Sequence, residues 1–314
     1  MAEMLLMSAP LQGFTEAPFR AAHSLVCGGA DEYFTPFVRF ERGAVRGRDL
    51  RDACAATDRT CTATVVPQVI AADAAEFLAV TRALRQEGHR RIDLNMGCPF
   101  PPQVKHGRGA GLTACPERLS EIAAAMDPEV EWSVKMRLGT DDPRQWRQIV
   151  AVLNSMPLRH VAVHPRTARQ QYGGQLHLEE FRDFLGECAL PVVFNGDILA
   201  PCDIDAVVGR FPSVCGVMAG RGLLMRPSLF AEWRSGGEWD PERLRACVLA
   251  LHDLILEQYE SVLCGDAQVL MKILPLWEYL GHDFPAKAVK AIRKSRRLSD
   301  YRAGVAALRT VRTD

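Results

Sequence analysis

Eight short apolar runs, at residues 5–10, 33–38, 64–69, 91–94, 132–136, 160–164, 192–195 and 216–219, dominate the first two-thirds of the chain. They recur roughly every thirty residues, the length of one strand plus a returning helix. Between them lie amphipathic stretches such as 72–87, 116–125, 144–153 and 201–208. Thr15-x-x-Pro18 and Asp73 have the residue types that open helices. Near-continuous apolar strands alternating with helices require a parallel sheet buried on both faces. Eight is the count at which such a sheet closes, so a (β/α)8 barrel is the leading architecture and a doubly wound open sheet the alternative. Beyond Gly236-Gly237 every segment has helical period, at 242–263, 267–280, 285–297 and 299–311. The expected division is therefore an α/β barrel over residues 1–237 and a small all-helical domain over 238–314.

Composition narrows the class of protein. Of 314 residues, 48% are hydrophobic and 24% charged, the balance of an ordinary globular chain. Ten cysteines are scattered without a Cys-x-x-Cys pair or a Cys/His cluster at ligand spacing, so neither a metal site nor a disulfide framework is expected. No charged-then-apolar leader opens the chain and no apolar window reaches membrane-spanning length. The expectation is a cytoplasmic protein, monomeric, with no membrane partner and no metal.

The fourth run holds the most specific stretch, Arg91-Ile-Asp-Leu-Asn-Met-Gly-Cys-Pro99 followed by a Gly-rich segment to Leu112. Gly97 and Pro99 stop the strand and leave the Cys98 thiol on a loop at its carboxyl end, beside the Asn95 amide. That end is where an α/β barrel carries its chemistry. Asn95-Met-Gly-Cys-Pro99 closely resembles the active-site motif of the tRNA-dihydrouridine synthases, flavoenzymes that reduce a uracil ring within folded tRNA. Val134-Lys-Met-Arg-Leu-Gly139, Val163-His-Pro-Arg-Thr167 and Gly220-Arg-Gly222 match the same family's wording. The resemblance extends over the barrel and, more loosely, into the helical tail.

Read strand by strand, polar residues collect at the carboxyl ends. Gln68 closes the third run; Asn95 and Cys98 the fourth; Lys135 and Arg137 the fifth; His164 and Arg166 the sixth. A polar group in a barrel mouth is costly without a partner, so this recurrence points to one shared ligand. Asn195-Gly-Asp197 and Gly220-Arg-Gly222 follow the last two strands, where barrels build phosphate sites, and Arg221 offers a charged fork to phosphate oxygens. Lys135 suits the flavin edge that turns anionic on reduction, and Gln68 can bond the same edge. The resemblance implies FMN, with Pro10, Leu11 and Gln12 along its ring, Gln68 and Lys135 at its polar edge, and His164 nearby. By the same resemblance Asn195, Gly196, Asp197, Gly220 and Arg221 hold its ribityl phosphate, and NADPH or NADH is the reductant. The only group in the strand-four loop able to protonate the uracil is the Cys98 thiol, which should therefore stay protonated. Asn95, Arg137 and Arg166 are expected to contact the substrate. The loop departs from the family pattern, because Phe100-Pro-Pro-Gln-Val104 precedes the first basic residue, Lys105.

Lys+Arg and Asp+Glu balance at 38 each, so any field that attracts nucleic acid must be local. Nine basic residues and one acid lie between 287 and 312, with Lys287, Lys290, Arg293, Lys294, Arg296 and Arg297 on adjacent turns. A second cluster, Arg39, Arg42, Arg46, Arg48 and Arg51, follows the second strand. Both are expected to receive tRNA, recognised by shape and phosphate. Competing readings are an FMN barrel acting on a free pyrimidine, like a dihydroorotate dehydrogenase; a non-catalytic RNA-binding barrel; and a non-redox barrel in which Lys135 forms a Schiff base.

Overall fold

The structure, a computed structural model, describes residues 4–55, 61 and 63–310. Eleven strands form one sheet: β1 (Leu5–Ser8), β2 (Glu32–Phe34), β3 (Val38–Glu41), β4 (Ala44–Val45), β5 (Thr64–Val66), β6 (Gln68–Ile70), β7 (Arg91–Met96), β8 (Glu131–Gly139), β9 (Leu158–Thr167), β10 (Val192–Asn195) and β11 (Gly216–Ala219). Their hydrogen-bonded order is β4-β3-β6-β7-β8-β9-β10-β11-β1-β2-β5. The two ends of that order belong together. Strands β5 and β6 are one run interrupted at Pro67, and β2 and β3 one run interrupted at residues 35–37. Since β2 pairs β5 and β3 pairs β6, both in parallel, the ring closes on itself with eight stations. The closed barrel prevails over the open sheet.

Both interruptions correct the sequence reading, which took 33–38 and 64–69 as unbroken. Pro36 and Pro67 have no N–H to give a ladder, so pairing stops and resumes one step further on. At 42–45 the chain adds a short hairpin, β4 pairing antiparallel with β3, that the sequence reading did not contain.

Side chains alternate across this wall as a pleated strand demands. On β8, Trp132, Val134, Met136 and Leu138 join the large core between sheet and helices. Their neighbours Ser133, Lys135 and Arg137 take the other face. On β7, Ile92, Leu94 and Met96 face that outer core, while Asp93 and Asn95 turn inward, both buried. The inner face keeps only a small apolar cluster, Met7, Ala9, Phe34, Val66, Ala162, Val193 and Met218. The barrel interior is thus apolar on one side and polar on the β6–β9 side.

Helix 229–235 ends at Gly236, whose φ of +70° is left-handed and free of strain only for glycine. Asp240 then caps helix Pro241–Val262 by accepting from the Arg243 amide at 2.8 Å. Helices Asp266–Ile273, Ala286–Arg293 and Leu298–Leu308 follow, with a 3-10 turn over Leu274–Glu278. Val311 and Arg312 lie outside the described residues. The helical segment is seated on helix Ala17–Val26 of the barrel. Its core, with Leu251, Ile255, Trp277 and Tyr301, includes the barrel's Phe19, Ala22 and Leu224. Lys272 Nζ donates to Glu16 Oε1 at 2.6 Å, and Cys27 Sγ lies 2.7 Å from Cys247 Sγ across the same seam.

Three histidines are enclosed without charge. Burial lowers His23 to about 4 and His160 to about 3, and holds His164 well below its ordinary value. Above pH 6.5 they are neutral folded or unfolded and contribute nothing to pH dependence. As pH falls below that, the unfolded chain takes up protons the folded one refuses, at about 1.4 kcal/mol per pH unit for each histidine. Asp93, raised to about 6 by burial, opposes one of the three. The melting temperature should therefore fall between pH 6.5 and pH 4.5, and His160→Gln should flatten that fall in a calorimetric pH series.

Candidate active site

A cavity of about 300 Å³ opens at the carboxyl ends of the strands. Pro10, Leu11 and Gln12 line it from the turn after β1, Gln68 from β6, and Asn95 and Cys98 from β7 and its loop. Lys135 and Arg137 reach it from β8 and His164 from β9. Asn195, Gly196 and Asp197 follow β10, while Gly220 and Arg221 follow β11. Residues separated by more than two hundred positions thus share one enclosure.

The thiol is held by its own loop. Asn95 Oδ1 accepts from the Gly97 amide at 3.1 Å and the Cys98 amide at 2.8 Å, which folds the chain back at the strand end. Gly109 presses against Cys98 from the other side: a Cβ there would stand 2.8 Å from Cys98 Cβ. Burial pushes the Cys98 thiol above its ordinary pKa, outweighing the nearby Arg137 and Lys135 charges, so it carries its proton at neutral pH. Lys135 is pushed down to about 8, chiefly by burial and then by the neighbouring Arg137. Among the described residues the Lys135 ammonium makes no hydrogen bond and no ion pair, and His164 Nδ1 is a buried nitrogen with no partner. The Lys135 ammonium is therefore the unpartnered group at the cavity, while His164 Nδ1 is enclosed away from solvent.

Some expected contacts are spent inside the protein. Asn95 gives one amide N–H to Gln68 Oε1 at 2.5 Å and its oxygen to the loop amides, while still lining the cavity. Arg166, expected at the substrate, is buried and fully committed. It forks onto Asp197 at 2.9 and 2.6 Å and donates to the carbonyls of Gly173 and Gly174. Asp197 in turn takes Arg221 at 2.9 Å, and sits at φ +49° to do so. Its carboxylate, held below the usual range chiefly by the Arg166 bond, lines the cavity beside Arg221. Arg137 donates to the carbonyls of Gly97, Thr167 and Gln171 while still lining the cavity.

Arg39 lies outside the cavity lining, bonded to Asp49 at 3.0 Å. Two more arginines of its cluster also face acids, since Arg46 lies 3.8 Å from both Glu41 and Asp49 and Arg48 lies 3.3 Å from Glu16. The tail is different. Lys287, Lys290, Arg293, Lys294, Arg296 and Arg297 are exposed and have no ion pair among the described residues. Lys294, Arg296 and Arg297 also line a second hollow between the last two helices.

Three residues at the site escaped the sequence reading. Tyr172 stands over the cavity with the Arg221 guanidinium 4.5 Å and that of Arg137 5.6 Å from its ring. Tyr279 arrives from the helical segment and meets Phe14 edge-on at 5.2 Å. Asp93 lies beneath the floor, bonded by Ser133 Oγ at 2.6 Å and Gln68 Nε2 at 2.7 Å. Period-two polarity in Asp93-Leu-Asn95 and Ser133-Val-Lys135-Met-Arg137 was the available signal for Asp93; the two tyrosines carry none.

A model of the dihydrouridine synthase family matches residues 7–273. The chain belongs to the dihydrouridine synthase family. It is an enzyme, an oxidoreductase. The tRNA-dihydrouridine(16) synthase of Neisseria meningitidis serogroup B is 29% identical over 245 residues, 74% of this chain and 72% of that protein. A protein of Treponema pallidum described as a probable tRNA-dihydrouridine synthase is 32% identical over 193 residues, 55% of this chain and 56% of its own length. Among solved structures, morphinone reductase superposes with a TM-score of 0.54 at 11% identity, over 76% of this chain and 88% of that one. A 2-naphthoyl-CoA reductase complex gives 0.57 at 8%, over 74% and 50%. At such identities these two share the barrel fold with the dihydrouridine synthase family member, and nothing finer.

Proposed function

We propose that this enzyme reduces a uridine of folded tRNA to 5,6-dihydrouridine, with FMN as its bound cofactor and NADPH as reductant. The observation that carries the reading is a protonated thiol and an unpartnered ammonium lining one cavity at the carboxyl rim of the barrel. The residues present fit FMN. Lys135 matches the polar edge of its ring, and the second amide N–H of Gln68 remains to be given. Gly220 leaves room that a side chain would take, since a Cβ there would stand 3.3 Å from Ala9 and 3.4 Å from Leu11. Arg221, oriented by Asp197, suits the phosphate.

When bound, the reduced flavin supplies the hydride for the uracil 5,6 double bond. The chain's own part is to hold the pyrimidine and supply a proton. The Cys98 S–H bond breaks as a C–H bond forms at the adjacent ring carbon, and solvent then reprotonates the thiolate. The Asn95 bonds to the loop amides keep the sulfur in place. Lys135 offsets negative charge at the cofactor edge. Residues 238–314 serve as the tRNA-binding part through the exposed cations of the last two helices, and unstacking of the base delivers it to the mouth. The same reading makes the protein a cytoplasmic monomer. Among the described residues no helix is long and apolar enough to cross a membrane, and no cluster of His, Cys, Asp and Glu could hold a metal.

Purified protein given FMN, NADPH and unmodified tRNA should be yellow and form dihydrouridine in the RNA while leaving free uridine and orotate unchanged. A colourless protein that cannot take up FMN, or one that prefers the free pyrimidine, contradicts the proposal.

A further inference from the structure

The geometry points to Asp93 as the positioning residue that sets the hydrogen-bond polarity of the cavity floor and so holds Cys98 at the substrate face. This rests on the reading of Cys98 as proton donor. Asp93 lies outside the cavity lining and is wholly buried, yet a chain of side chains connects it to the thiol loop. Two ends fix the direction of every bond in that chain. At the loop, the Gly97 and Cys98 amides can only donate, so Asn95 must present its oxygen to them. Its Nδ2 then faces Gln68, which must answer with Oε1 at 2.5 Å. Gln68 is left with Nε2 towards residue 93, and a group that accepts is needed there. The Asp93 carboxylate is that group, at 2.7 Å, with Ser133 Oγ donating to its other oxygen at 2.6 Å.

An ionised carboxylate accepts at both oxygens, whereas an amide would donate from one of them. An asparagine in place of Asp93 keeps the order only by turning its Oδ1 to Gln68 and giving its Nδ2 to Ser133 Oγ, a hydroxyl that can accept. With Ser133→Ala added, that N–H is left unpaired or turns Gln68 and then Asn95 over, driving an N–H against the two loop amides. A reversal begun beneath the floor would thus release the thiol at the rim. Burial at 0% exposure denies Asp93 water as a substitute partner. The adjacent register, with Asn95 opposite Lys135 and Asp93 opposite Ser133, also makes this carboxylate a counter-charge for Lys135.

Alkylation of Cys98 by iodoacetamide, followed peptide by peptide in the cofactor-free protein, reads the loop without needing the reaction. Ser133→Ala alone removes one bond without reversing the chain, so Cys98 should react as in the wild type. Asp93→Asn with Ser133→Ala should raise the rate about three- to tenfold, the worth of one to two lost hydrogen bonds. Adding Asn95→Asp to those two changes should return it to near the wild-type rate. In that triple variant the new amide at position 93 donates to Gln68 Oε1, and Gln68 Nε2 donates to the new carboxylate at position 95. That carboxylate still accepts from the Gly97 and Cys98 amides. A role in packing alone predicts the opposite order, with the triple variant worse than the double one, and that order overturns the proposal. So does an unchanged rate in the double variant, or failure of both the double and triple variants to fold. Should the double variant alone fail to fold, a folded triple variant with wild-type thiol reactivity supports it. A wild-type protein that never reduces tRNA defeats the functional reading instead, and leaves these rates as measured.

Discussion

Cys98→Ala should slow dihydrouridine formation by about 10²–10⁴-fold, the usual contribution of a positioned general acid. The loss should fall on kcat, with KM for tRNA and the flavin spectrum unchanged, because the proposed mechanism puts the sulfur at the reacting carbon and the tRNA grip elsewhere. Burial keeps the thiol protonated against the pull of Arg137, Lys135 and Arg39. The wild-type rate should accordingly persist through neutral pH and fall as pH rises through the raised thiol pKa, the direction required of an acid. A nucleophilic cysteine would gain rate over that range. Rapid-mixing kinetics with pre-reduced enzyme separates the two, and a Cys98→Ala variant of near wild-type rate would remove the thiol from the mechanism.

The second large effect concerns the tail. Lys290→Ala, Lys294→Ala and Arg297→Ala together should lower the slope of log affinity against log salt by about two to three, near one per lost phosphate contact. KM for tRNA should rise steeply while reduction at saturating tRNA stays close to normal. Arg46→Ala should leave the slope unaltered, because that guanidinium already faces Glu41 and Asp49. Filter binding from about 50 to about 300 mM salt resolves the difference. Equal slopes for the triple variant and the wild type would exclude this face from the RNA.

The eight repeating units were legible because each strand and helix announces itself in its own hydrophobic period. Closure was not, since it depends on β1 meeting β11 in register and on β2 and β3 meeting β5 and β6. The breaks at Pro36 and Pro67 were visible as prolines, but an apolar run masks the missing donor. Polar residues ending apolar runs located the site itself, and Cys98, Lys135, His164 and Arg221 do share one cavity. What each does with its hydrogen bonds is tertiary. Arg166 is consumed by Asp197 only because residues 195–197 turn through a left-handed conformation. Arg39 and Arg46 lose their field to acids brought beside them by the β3–β4 hairpin and the helix after it. Tyr279 reaches the mouth because the helical segment packs back on helix Ala17–Val26, a docking that no local pattern records.

The most direct measurement maps dihydrouridine across the tRNAs of cells lacking this gene, complemented with wild-type enzyme or with Cys98→Ala. At least one uridine should lose its two added hydrogens, regain them with the wild type, and stay unreduced with the variant. Unaltered dihydrouridine at every position in the deletion strain, or full restoration by Cys98→Ala, would contradict a thiol and a reduced flavin working on one pyrimidine in this cavity.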